Sequence, residues 1–380
     1  FSILFLTHHN RMRLAVTGYQ DTFLTGDPQK SFYQKVFTKR SGYTTENLRL
    51  AFDSDIRFGG TSRCTIDNDT CDIITSFVLN FTFQESQTVP QDAGHAFVER
   101  ADLIVGGQTI VSLTGEYMAV ISDLTDTQRT RNSNDAILKR NVTPTSYGTT
   151  SVTNQFLVEV PFFGKGFTNA FPLLALNRHT IEVRITLRKQ SELSNVPLPD
   201  VVLDLQAIYL NEEHRQFFLG KQLDYVIKQT QLARVTLGDL NQIRFKTLFE
   251  NPIQEFILVV QNDSGTKGVF DYSSAVNPSV YASYSNDQVT RWRMFLNGQV
   301  YFDLDQMTMR AIQPYEYYVQ TPSYKVNIFN IGSNTGPYPS GTVNMSRISS
   351  QIFELILVNN SVSRKARLYA VNFNVFRCQG

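Results

Sequence analysis

Residues able to do chemistry are few and scattered in this chain. It has five histidines, His8, His9, His95, His179 and His214, and only the His8-His9 doublet shows any spacing. A zinc site needs three or four converging ligands. A His/carboxylate metal site would have to be assembled from His179, Glu182, His214 and nearby acids. Glu182, however, alternates with apolar positions and is predicted to face solvent, and His179 is predicted at a strand edge. The three cysteines, Cys64, Cys71 and Cys378, are too few for a disulfide framework and fit a reducing compartment. Cys64 and Cys71 could pair, but their spacing is no metal signature. Gly106-Gly107 lacks the G-x-G-x-x-G or G-K-[ST] context of a phosphate loop. No nucleophile–base pair stands out. The expectation is a chain with no catalytic, cofactor-binding or metal-binding residues.

Charge gives the same answer. The formal net charge is +1, so the whole chain carries no basic footprint for nucleic acid. The short blocks Lys39-Arg40 and Arg364-Lys365-Ala366-Arg367 read as solvated faces or rims. No run of about 18 apolar residues offers a membrane span, and Phe1–Leu6 is too short for a signal sequence. Asn-X-Ser/Thr triplets at Asn68, Asn80, Asn141, Asn262, Asn344 and Asn359 read as chance occurrences unless the chain enters a secretory lumen.

The elements that would carry these residues are mostly strands. Hydrophobic residues make up 42% of the 380, with 28 Phe and 17 Tyr against one Trp, a composition suited to pleated, half-buried surfaces. Phe77, Leu79, Phe81 and Phe83 alternate with polar or smaller residues, and Ile181, Val183, Ile185 and Leu187 do so more cleanly still. Further strands are predicted at Ser31–Phe37, where a short helix started by Asp27 and Pro28 is the competing reading, and at Val201–Leu210, Leu223–Ile227, Arg244–Phe249, Ile253–Val260, Arg291–Leu296, Val300–Leu304, Ile352–Val358 and Leu368–Phe376. Gly106-Gly107 and Asn297-Gly298 mark tight hairpins. Leu113, Tyr117, Val120, Ile121 and Leu124 recur at helical spacing, with Glu116 in the first turn, where a negative charge suits the dipole. Residues 125–155 and 265–286 are polar and read as long exposed loops.

The length predicts two domains, with a boundary near 212–222. A weak internal duplication supports this. Phe171–Arg178 leads to a strand with an early acid, Glu182, and then to Val201–Leu210; Tyr338–Arg347 leads to Glu354–Val358 and then to Leu368–Phe376. Within the second copy, Gly336–Ile348 is a stiff Pro/Gly turn without reactive groups. Many short strands and one or two helices predict all-β sandwiches.

Several segments resemble one family in order and nearly end to end. They are Gly18–Gln29, Gly106–Gln108, Phe162–Leu176 with the strand His179–Ile185, Asn251–Phe256, Phe295–Gly298, Gln313–Tyr315 and Pro339–Ile348. The chain resembles major capsid proteins of the nucleocytoplasmic large DNA viruses and their relatives, the double jelly-roll lineage. The resemblance implies an all-β chain of two tandem eight-stranded antiparallel jelly rolls with one or two short helices in loops. The expected divisions are an N-terminal arm at 1–14, a first roll at 15–215 and a second at 216–380. It further implies a homotrimer with six rolls in pseudo-hexagonal array, tiling an icosahedral shell around double-stranded DNA. Expected partners are neighbouring capsomers, minor capsid or cement proteins and penton proteins. The resemblance leaves room for an inner membrane beneath the shell and implies no sequence-specific nucleic-acid binding. The expected location is the virion, assembled in a cytoplasmic viral factory. Two other readings are a minor capsid, penton or scaffolding protein of the same lineage, and a jelly-roll lectin or cupin-type enzyme.

Overall fold

The computed structural model describes residues 18–20, 23, 26–27, 29, 42–140, 149–164, 167, 170–176, 178–263, 268–274, 287–319, 321–359 and 362–379. Two compact units are present, Phe1–Gly42 and Tyr43–Gly380. In the first, Tyr19, Gln20 and Phe23 are helical, and Gly26 and Asp27 form a bend. The arm expected at 1–14 and the strand expected at Ser31–Phe37 lie outside the described residues.

The second unit begins with eight strands: β1 (Tyr43–Ala51), β2 (Thr61–Ile66), β3 (Ile73–Pro90), β4 (Val98–Val105), β5 (Gln108–Thr114), β6 (Thr149–Glu159), β7 (Ile181–Leu187) and β8 (Asp200–Leu210). They form two four-stranded antiparallel sheets, ordered β1-β8-β3-β6 and β2-β7-β4-β5. Between the sheets lies a core that includes Phe77, Leu79, Phe81, Phe97, Phe156, Val183 and Leu205. The alternation read in the sequence is what builds it, since one side of each strand meets the opposite sheet.

A second set follows: β9 (Gln222–Gly238), β10 (Gln242–Thr247), β11 (Pro252–Asn262), β12 (Val289–Leu296), β13 (Gln299–Asp305), β14 (Asn327–Asn330), the two-residue β15 (Val343–Asn344), β16 (Gln351–Leu357) and β17 (Arg364–Gln379). Their sheets run β9-β17-β11-β14 and β10-β16-β12-β13, with β15 pairing β11. Apart from β15, the strand order repeats that of the first half. Each half is therefore an eight-stranded jelly roll.

The repeat extends to the turns. Gly106 and Gly107 (φ 57° and 81°) link β4 to β5, while Asn297 and Gly298 (φ 48° and 86°) link β12 to β13 at the same topological point. Two positive φ values are what a two-residue hairpin matching strand twist requires. The weak duplication read in the sequence falls on equivalent strands, β7 and β8 against β16 and β17, each pair preceded by a 3-10 turn, Leu173–Leu176 or Met345–Arg347.

Five α-helical segments occur among the described residues of the second unit, more than the one or two expected: α1 (Ala93–Phe97), α2 (Gly115–Thr125), α3 (Gln128–Leu138), α4 (Glu212–Leu219) and α5 (Gln313–Tyr317). Helix α2 is the one the apolar spacing predicted; Thr114 caps it by accepting from the Tyr117 amide. Helix α3 overturns the exposed-loop reading of 125–155, and β6 takes the end of that stretch. Helix α3 was hidden because ion pairs rather than an apolar stripe anchor it. Arg140 Nε donates to Asp135 at 2.6 Å and its Nη2 to Asp126 at 3.0 Å, and all three residues are buried. Residues 268–274 form a loop of turns and bends, as expected of 265–286, but a buried one rather than an exposed one. Phe270, Asp271, Tyr272 and Ser273 are buried there, with the Phe270 ring 5.8 Å from that of Tyr324.

Candidate functional site

The feature that sets this molecule apart from two linked sandwiches is the seam between them. Strand β11 carries an almost unbroken buried run from Ile253 to Val260. Such a run marks a strand covered on both faces. On one face, Phe256, Leu258 and Val260 join Leu368 and Ala370 of β17 and pack on Trp292, Met294 and Phe353 inside the second sandwich. On the other, Ile257 and Val259 join Tyr369 and Val371 and enter the core cluster of the first sandwich. The sheet β9-β17-β11-β14 is thus shared by both cores.

Charged and polar clamps from the first sandwich close this seam. Glu116, in the first turn of α2, takes Arg367 Nε at 2.6 and 2.9 Å on its two oxygens, Tyr369 Oη at 2.6 Å and Tyr272 Oη at 2.8 Å. Thr114 Oγ1 lies 3.0 Å from Tyr369 Oη, and Arg367 Nη2 donates to Gln261 at 2.8 Å. Burial by itself would raise the Glu116 carboxyl. The Arg367 charge and hydrogen bonds, with the two tyrosine hydroxyls, outweigh it and hold the group below the usual carboxylate range.

A second clamp sits at α1. Asp92 pairs with His95 Nδ1 at 2.8 Å and accepts from Tyr324 Oη at 2.7 Å. Burial pushes Asp92 up, but His95, Arg140 and Tyr324 together bring it below its ordinary value. In the third, Asp123 of α2 accepts from the Tyr324 amide at 3.1 Å, from the Ser323 amide, and from Arg131 Nη2 at 3.1 Å. There burial prevails over Arg140, Arg131 and the two backbone donors, and the carboxyl is raised. Three carboxylates of the first sandwich thereby grip segments 323–324 and 367–369 of the second. Strand β9 adds Gln229 Nε2 on the Ile110 carbonyl at 2.6 Å and Thr230 Oγ1 on that of Ser112 at 3.0 Å.

The basic block at 364–367 is therefore not a solvated rim. Arg364 is fully buried and donates to the carbonyls of Val358 at 2.9 Å and Leu240 at 3.1 Å, and Arg367 lies in the seam. Only Lys365 of its three cations is exposed, paired with Asp263. The sequence signal for Arg367 was its place in alternation with Tyr369 and Val371. The dipole position accounts for Glu116 only in part, since its principal partner is 251 positions away. Lys39-Arg40 lies outside the described residues.

Residues weighed for chemistry do not converge on a site. His179 sits at the turn beside Gly106. Glu182, on the outward face of β7, accepts from Arg184 Nη2 at 2.8 Å. His214 opens α4, its Nδ1 2.5 Å from Asn211 Oδ1. Among the described residues, no three His, Cys, Asp or Glu side chains are grouped to hold a metal ion; His8 and His9 are not among them. All three cysteines are free and buried, so Cys64 and Cys71 do not pair. The glycosylation triplet at Asn80 falls mid-strand, with the Asn80 amide turned to Asp204 at 3.3 Å.

Gly336–Ile348 is an anchor for β11. Asn344 and Val343 pair with Pro252 and Ile253, and Ser346 Oγ accepts from the Asn251 amide at 2.8 Å. Gln351, entering β16, caps Phe249 by accepting from its amide and donating to its carbonyl, both at 2.9 Å.

Comparison with known proteins agrees with this architecture. The family described as major capsid protein N-terminus matches residues 31–227, and the family described as large eukaryotic DNA virus major capsid protein matches residues 214–380. The major capsid protein of Pyramimonas orientalis virus is 25% identical, with 96% of each chain covered. That of Paramecium bursaria Chlorella virus 1 is 22% identical, again with 96% of each covered. Among solved structures, the crystal structure of PBCV-1 VP54 superposes with a TM-score of 0.79 at 18% identity, over 92% of this chain and 98% of that one. The Faustovirus major capsid protein gives 0.75 at 10% identity, over 96% and 95%. These structures carry the same double jelly roll. With one family covering more than half of the residues and the other continuing to the last, the chain belongs to the major capsid proteins of large eukaryotic DNA viruses.

Proposed function

We propose that the chain is the repeating tile of an icosahedral double-stranded DNA virus shell, working as a homotrimer rather than as an enzyme. The observation that carries this reading is the repeated strand order of the two rolls, fused through a sheet buried on both faces. Two similar bodies locked side by side give a trimer six similar edges, the shape a hexagonal lattice needs. Permanent assemblies of this kind bury interfaces on the order of 2,000–5,000 Å², and a near-neutral tile packs against its own copies without large self-repulsion. We place the rolls at 15–215 and 216–380 and an arm at 1–14. Neighbouring capsomers, cement or minor capsid proteins and penton proteins are the proposed partners, and a cytoplasmic factory is the proposed place of assembly.

Light scattering and electron microscopy of the purified protein test the reading. Pseudo-hexagonal trimers are expected, and a monomer at every concentration would sink it. Copy number in purified particles separates a major capsid protein from a minor one, since a few copies per vertex would contradict the tile.

A further inference from the structure

The parts that make the seam occur a second time on this chain, unfilled. Strand β13 pairs with β12 in the register in which β5 pairs with β4. Asp305 stands opposite Arg291 as Thr114 stands opposite Arg100, and the bulged residue is Tyr301 where the first roll has Ile110. A helix follows each strand at once. Thr114 caps α2 by accepting from the Tyr117 amide, and Asp305 caps the counterpart by accepting from the Thr308 amide at 2.8 Å. The counterpart is a π-helical turn, Thr308–Ile312, that runs into α5. Counted from the caps, Met307 holds the position of Glu116.

What differs is the cover. Helix α2 lies against the shared sheet, with Glu116 on Arg367 and the Tyr117 ring 5.7 Å from that of Tyr369. In the second roll Met307, Ile312, Tyr315 and Val319 are exposed, Tyr315 by 83%. A bare apolar patch of this kind marks an interaction surface. The strand edge repeats the pattern. The Ile110 and Ser112 carbonyls of β5 are taken by Gln229 and Thr230 of β9. Their counterparts, Tyr301 and Asp303, lie on β13, an edge strand that pairs only with β12.

The matching surface is also present. Sheet β1-β8-β3-β6 is the first roll's equivalent of the shared sheet β9-β17-β11-β14. Ile257, Val259, Tyr369 and Val371 are buried on the shared sheet. On its equivalent, the outward residues Val78, Leu157 and Val202 are half-buried and Gln206 is exposed. Val78, Leu157 and Gln206 front an open cleft of about 680 Å³. Strand β1, in the place of β9, offers Thr44, Thr45 and Asn47, all exposed. One chain leaves both halves bare, so the occupant that fits both is a second copy. A helix on one end and a sheet on the other make a head-to-tail contact, which repeats until a ring closes.

We propose that the seam within the chain is repeated between copies. Helix 307–319 of one copy lies on the outer face of β1-β8-β3-β6 of the next, and β13 of the first runs beside β1 of the second. This rests on the homotrimer reading and adds which surfaces meet.

Light scattering and sedimentation of two variants, one for each half, test the contact. The helix variant is Ile312→Glu with Tyr315→Glu, and the sheet variant is Val78→Lys with Gln206→Lys. Each should be a folded monomer by circular dichroism at concentrations where the unmodified chain is a trimer. Leu248→Glu, an exposed apolar position in the turn between β10 and β11, should remain a trimer. Mixed one to one, the two variants should form dimers and no trimers, since the intact helix of one copy meets the intact sheet of the other and the ring cannot close. If either variant remains a trimer, if Leu248→Glu loses the trimer equally, or if the mixture stays monomeric, the placement is overturned while the homotrimer stands. An unmodified chain that is itself monomeric overturns both.

Discussion

Glu116 and Arg367 meet across the seam at 2.6 Å, the first from the helix that follows β5 and the second from the last strand of the chain. The Arg367 side chain is 20% exposed and that of Glu116 8%. Neither charge could stay so far out of water without the other. The pair fixes which part of the second sandwich faces α2, something the apolar contacts around it specify less sharply.

Removing one partner should therefore cost more than the pair contributes. Glu116→Ala leaves the Arg367 guanidinium without its carboxylate and two tyrosine hydroxyls without their acceptor. Breaking such a buried pair costs about 3–5 kcal/mol. Calorimetric unfolding should show that loss for Glu116→Ala and for Arg367→Met, and for the two combined a loss smaller than their sum. If the double variant loses the sum of the two single changes, the coupling is absent.

Acid should loosen the seam. Glu116 and Asp92 are held below their unfolded values, so their stabilisation is fully present above the ordinary carboxylate range of about 4. It is lost as pH falls through their folded values. Asp123 is raised, so its contribution has the opposite slope and falls as pH rises from about 4 towards its folded value, a window above that of the other two. Denaturant unfolding at a series of pH values between 2 and 6 should show a flatter acid limb for Glu116→Gln than for the parent. Asp123→Asn should leave the limb as steep or make it steeper.

How much of this was legible in the sequence follows from what holds each element. Strands such as Ile181–Leu187 have one face in a core and one outside, and their alternation announces them. Strand β14 is only Asn327–Asn330, short and half polar, and gives no such signal. Helix α3 is anchored by Asp135 and Arg140, and segment 268–274 by Tyr272, so both look like solvent-facing loops until their partners are known. The seam was invisible for a related reason. Glu116 and Arg367 read as ordinary surface charges because each is explained only by a residue about 250 positions away.

The cysteines should be chemically silent in the folded protein. Burial pushes Cys64 and Cys378 up to about 11 and Cys71 up to about 12. Thiolate is the reactive form, and at pH 7.5 each thiol is both protonated and shielded. Mass spectrometry after maleimide treatment should find no adduct in native protein and three after denaturation. Rapid native labelling of any one would mean that the strand carrying it opens readily.

The Gly336–Ile348 segment offers the sharpest test of backbone geometry. Gly341 has a φ of 145°, and a Cβ there would stand 3.2 Å from the Gly332 Cα, backbone that cannot swing aside. Gly341→Val combines a forbidden dihedral with that close approach. The strain falls on the turn that delivers Val343 and Asn344 to the end of β11, the strand buried on both faces. A Tm several degrees lower and a reduced yield of trimer are expected. Gly336→Ala serves as the control, because Gly336 has no positive φ and its Cβ would meet only the Asn334 side chain, at 3.0 Å. Normal stability and trimer yield in Gly341→Val would show that the turn bends freely and does not set how the chain enters β16.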